Sequence, residues 1–184
     1  MLTTTLKQLI YGGSNIVQRS DFMTLMDHLG KSWETIDDTI ISYAEIVELT
    51  NFEYAIDCTD ANPEFHKTWR KFGLWCGKPI DFLISIPSCR EAYETAIKFV
   101  NDEVSLEVMK AIHFKAACEQ GISEDGNSGM EFEADQMAVD VSNPDVHTCI
   151  YNCINRYPLS MNRLGYEFEY SERKLKKKFL EIVS

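Results

Sequence analysis

His113, Cys118, His147, Cys149 and Cys153 are the residues whose chemical types could run a reaction. Cys149 and Cys153 stand one helical turn apart, a spacing that can present two thiolates to one zinc ion. His113 and Cys118 could complete a tetrahedral set from a neighbouring helix. The same group could instead pair a thiol nucleophile with an imidazole base, which needs a lowered thiol pKa and a close histidine. Position argues against both uses. Cys149 and Cys153 share a stripe with Val146, Ile150 and Tyr157, where free cysteine serves as a small buried hydrophobe, and no CxxC occurs. His113 follows Met109 by one turn and precedes Ala117 by one, so a core imidazole satisfied by a backbone carbonyl is expected. No catalytic residue, metal ligand or cofactor is assigned. A small metal-dependent hydrolase using His113, His147 and the nearby cysteines stands as the alternative.

A second constellation is cationic. His66, Lys67, Arg70 and Lys71 fall within six residues, and His66 lies one turn before Arg70, so together they could hold a phosphate or carboxylate. A solvated helix face balanced by Glu64 is the competing reading. Two further loops fail on chemistry. Tyr11-Gly12-Gly13-Ser14-Asn15 lacks the Lys-Ser or Lys-Thr of a phosphate loop, and a calcium loop beginning at Asp125 would place Met130 and Gln136 where glycine and glutamate are required.

Charge is more informative than any of these clusters. The 184 residues carry a formal charge of -11, which opposes attraction to nucleic acid and anionic lipid and favours a protein partner with a basic patch. Residues 1–60 hold three basic and ten acidic groups, residues 61–170 ten and seventeen, and residues 171–184 five and two. The C-terminal segment is therefore cationic against an acidic body. Its edge of Leu175, Phe179 and Ile182 or Val183 is expected to dock on that body. Glu34, Asp37, Asp38, Glu45 and Glu48 are expected on one solvent face of a helix running from Trp33 to Glu48. Five carboxylates over roughly 23 Å fall far short of duplex DNA, with a charge about every 1.7 Å, so mimicry of nucleic acid is not supported.

The elements that must position these residues read as helices. Ser20 precedes Phe22, Leu25, Met26 and Leu29, with Gly30 as the stop. Ser32 precedes the stripe Trp33, Ile36, Ile40, Tyr43 and Val47. Asn62-Pro63 and Asn143-Pro144 both read as helix starts. Pro79 to Ile86 is either a helical turn or a buried extended piece. Ser88 with Glu91 forms a capping-box pattern, and Ser105 opens a further helix that stops at Gly121. Residues 121–129 read as a surface loop. After Pro158, Tyr166, Phe168 and Tyr170 alternate with glutamates as an extended segment would, and Ser171 caps a last basic helix over 171–184. The fold expected is mainly α: a compact multi-helix bundle forming a single helical domain over 1–184, with a short extended segment near the C-terminus. No apolar run spans a bilayer and no secretory leader is recognised, so a cytoplasmic protein with free thiols is expected.

Leu74-Trp75-Cys76, Ser88-Cys89-Arg90-Glu91-Ala92, Ala96-Ile97-Lys98-Phe99, Ala111 and Ala116-Ala117-Cys118 resemble a pattern in helical bacterial immunity proteins. That family has a Trp-Cys pair, a helix ending in a short acidic turn like Asn101-Asp102-Glu103, and then an alanine-rich helix. The resemblance implies an all-helical binding protein that neutralises another macromolecule and carries no catalytic residues over. It agrees with the reading that the capped, patterned helices without a reactive cluster suggest: an acidic, noncatalytic protein that binds and inhibits or regulates a protein partner. A phage or mobile-element origin would fit that class. The aromatic stripe Phe65, Trp69, Phe72 and Cys76 generates the first prediction. Trp69→Ala loses about 3 to 5 kcal/mol in urea unfolding, and a variant matching the parent would place Trp69 on the surface.

Overall fold

Capping side chains and short apolar stripes set the element boundaries of the protein, whose computed structural model describes residues 1–12, 20–122 and 129–184. Contacts group these into two compact units, Met1–His66 with Lys176–Ser184, and Lys67–Leu175. Helices and helical turns make up most of both, so the fold is mainly α.

The first unit opens with β1 (Thr3–Thr5), followed by α1 (Leu6–Gly12) and α2 (Ser20–His28). Next come β2 (Ile40–Ser42), α3 (Tyr43–Leu49) and α4 (Phe52–Asp57). β1 and β2 pair antiparallel, with Thr4 opposite Ile41. Thr5 and Gln8 cap one another at the start of α1, the Gln8 amide donating to the Thr5 hydroxyl at 3.1 Å and the Thr5 amide to Gln8 Oε1 at 2.9 Å. Ser42 and Glu45 do the same for α3, and the Asn51 side chain accepts from the Tyr54 amide at 2.8 Å to start α4. Gly30, at φ 62°, closes α2 as expected, letting the Lys31 amide reach the Met26 carbonyl at 2.9 Å. Leu6, Leu9, Phe22, Leu25, Ile46 and Tyr54 fill the core.

In the second unit, α5 (His66–Gly77) leads through a 3-10 stretch, Lys78–Leu83, to α6 (Pro87–Val100) and α7 (Leu106–Ile122). The chain then forms α8 (Met130–Ser142), α9 (Val146–Arg163) and α10 (Phe168–Val183), the last of which runs on into the first unit. α8 packs against α6, α7 and α9, and nine of its thirteen residues are buried.

Several expectations change. Trp33 to Glu48 is not one helix: a 3-10 turn at Trp33–Thr35, an extended stretch and β2 precede α3, because the Ser32–Thr35 and Ser42–Glu45 caps each start a separate element. Ile40 and Trp33 are exposed, not core. Pro158 does not end its helix, since α9 continues to Arg163. The aromatic alternation after it is not a strand: Tyr166 lies in the turn before α10, and Phe168 and Tyr170 are in the helix. Gly165, at φ 91°, turns the chain, and Tyr166 stacks on Tyr170 at 5.9 Å, a contact made at helical rather than strand spacing. Ser171 lies within α10, its hydroxyl donating to the Glu167 carbonyl at 3.1 Å. Asp145, rather than Asn143, caps α9 through the Thr148 amide at 2.7 Å.

Pro79 to Ile86 resolves mainly as a helical turn, and α7 passes Gly121 by one residue. The calcium reading at Asp125 and most of the 121–129 loop, like Gly13, Ser14 and Asn15, lie outside the described residues. Among the described residues no helix is long and apolar enough to cross a membrane. The basic segment is anchored by apolar burial. Leu175, Phe179 and Val183 form one buried line along α10, and Phe179 meets Phe52 edge-on at 5.4 Å. Lys178 pairs with Glu181 of its own helix at 3.1 Å.

The start of α6 is capped from outside. Ser88 is not its N-cap; the helix begins at Pro87, and Asp135 of α8 accepts from the amides of Ser85 and Ile86 at 2.8 and 3.0 Å and from the Ser85 hydroxyl at 2.6 Å. Asp135→Ala removes the acceptor of three bonds at a residue that is 3% exposed, and urea unfolding registers a loss of about 2 to 4 kcal/mol. Ser88→Ala, which removes a buried hydroxyl that caps no helix amide and faces the Cys89 thiol, costs less than about 1 kcal/mol. The opposite ranking would return the cap to Ser88.

Candidate functional site

Most of the candidate cysteines and histidines of the second unit are held by packing or hydrogen bonds. Cys149 and Cys153 on α9 and Cys76 on α5 are buried, while Cys118 on α7 is exposed. Gly73 lets the two α9 sulfurs approach α5. A Cβ there would stand 3.3 Å from Cys149 Sγ and 3.4 Å from Cys153 Sγ. Burial pushes the thiols of Cys76 and Cys153 well up, and the hydrogen bond from Cys153 draws Cys149 down. Cys149 Sγ points to the Val141 carbonyl at 3.7 Å, and its side chain is shut from solvent. Among the described residues no group of three or more His, Cys, Asp or Glu side chains is placed to hold a metal ion.

His113 sits where its stripe position implies. Its Nδ1 lies 3.2 Å from the Val139 carbonyl and 3.1 Å from Ser142 Oγ, and that hydroxyl donates to the same carbonyl at 2.9 Å. His147 stacks on Tyr151 of its own helix, with ring centres 6.0 Å apart.

The cationic constellation of α5 does not form an exposed anion cradle. Arg70 is 1% exposed; its Nη1 donates to the Val141 carbonyl at 2.6 Å and its guanidinium lies 5.6 Å from the centre of the Phe99 ring. A carbonyl and an aromatic face thus receive a charge that helical position alone assigns to solvent. Lys67 pairs with Asp102, and His66 turns its Nδ1 to the Pro63 carbonyl at 2.8 Å, leaving Lys71 exposed.

The acidic residues of the first unit divide by role. Glu45 is a capping side chain that accepts from the Ser42 amide at 2.8 Å and its hydroxyl at 2.6 Å, which holds its carboxyl below the usual range. Asp37 pairs with Lys31 at 2.7 Å and accepts from the Thr39 amide at 2.9 Å and from the Thr39 hydroxyl, so its carboxyl is pushed down to about 2. Glu34, Asp38 and Glu48 are exposed, and each lies on a different element or connection. The helical face expected to unite all five is absent, because the chain changes conformation twice between Trp33 and Glu48.

What stands beside Glu34 is an aromatic residue that periodicity assigned to the core. Trp33 is 53% exposed, its ring resting 5.4 Å from that of buried Phe22, and the Ser32 amide donates to the Thr35 hydroxyl at 2.8 Å to hold the turn. The sequence signal that could have found it is the pair of short caps, Ser32 with Thr35 and Ser42 with Glu45, each marking an element start. No family model, curated protein or solved structure matches this chain.

His113 generates a pH prediction. Burial disfavours its imidazolium and lowers its pKa from 6.5, so just below that value the unfolded chain binds a proton that the folded chain refuses. Stability therefore falls as pH drops through that window, and above it the group contributes nothing. His113→Gln flattens the urea-midpoint profile between about pH 7 and 5. Profiles that run parallel would show that His113 does not carry this dependence.

Proposed function

We propose that this chain is a noncatalytic acidic protein that binds and inhibits or regulates a protein partner bearing a basic patch, in the manner of immunity or counter-defence inhibitors. One observation carries the reading: Trp33, half exposed and seated on Phe22, stands in a segment where Glu34 and Asp38 hold exposed carboxylates at the surface. A rigidly backed indole is the kind of side chain that dominates protein interfaces when a partner desolvates it. The carboxylates around it steer a cationic surface inward and repel phosphate backbones. Met23 and Ile40, both exposed, add apolar area on the elements to either side of Trp33. The resemblance to helical immunity proteins points the same way, toward a protein that acts by occupying another macromolecule.

Affinity capture from the native host, followed by titration of the captured partner, tests the reading. Trp33→Ala weakens binding by about tenfold or more, while Glu34→Gln with Asp38→Asn mainly slows association and reduces its salt dependence. Binding that ignores all three substitutions would overturn the assignment to this face. A hydrolytic activity lost on His113→Gln would replace the binding reading with an enzyme.

A further inference from the structure

We draw no further inference here: the strongest candidate, the exposed apolar seam of α7 formed by Val108, Ala111, Phe114, Cys118 and Ile122, is an unpartnered helix face, and nothing in the structure shows what covers it.

Discussion

Burial of charge along α8 is the constraint on which the second unit depends. A helix packed on three sides has no water to offer Glu133, Asp135 and Asp140, so each carboxylate must find its donors on a neighbouring element. Asp135 finds the amides at the start of α6. Asp140 takes Arg156 Nε at 2.5 Å and Asn152 Nδ2 at 3.0 Å, both from α9. Glu133 meets Arg156 and Arg163, each at 3.4 Å. These bonds do more than compensate desolvation. They fix which residue of α9 faces which residue of α8, a selectivity that apolar contact between helices does not supply. Arg70 obeys the same rule in reverse, a buried cation whose donor reaches the carbonyl of Val141 at the end of α8.

The same constraint accounts for most of the reactive side chains of the second unit. Side chains with reactive chemistry in the second unit, the α9 thiols and His113, are held in the same packed interior and are largely closed to solvent or turned to backbone carbonyls. In the first unit the polar groups that start helices are local: Thr5 starts α1, Ser42 with Glu45 starts α3, and Asn51 starts α4. Asp37 steadies the loop around Lys31 and Thr39. Asp21 and Glu64 accept from the side chains of Asn51 and Asn62, whereas Glu34 and Asp38 lie exposed beside Trp33. An exposed indole beside exposed acids suits recognition of a complementary partner, as proposed.

Much of the architecture was legible because it follows from local chemistry. The stripes Phe22, Leu25 and Met26, and Trp69, Phe72 and Cys76, are buried as their spacing implies, and Gly30 stops its helix in the left-handed conformation that glycine permits. The carbonyl-bound His113 followed from its position one turn after Met109. Errors arose where two signals competed. Helical periodicity from Trp33 to Val47 masked the two caps that divide the segment, and the aromatic alternation at Tyr166, Phe168 and Tyr170 matched a strand while also permitting the i, i+4 stack that forms. The candidate binding face was half legible: Glu34 and Asp38 as exposed acids, but not Trp33 as their neighbour. Long-range compensation was not legible at all. Nothing in the local sequence around Ser85 indicates a cap from Asp135, and nothing around Arg70 announces a carbonyl from Val141.

Under the proposed function, binding belongs to the exposed acidic and aromatic face of the first unit, while the polar residues of the second serve its interior. Hydrogen exchange of the chain with and without its captured partner tests that division residue by residue. Added protection confined to about residues 20–45 is expected, with exchange in α8 and α9 unchanged. Protection that instead falls on α8 and α9, around His113, Cys149 and Arg156, would contradict it.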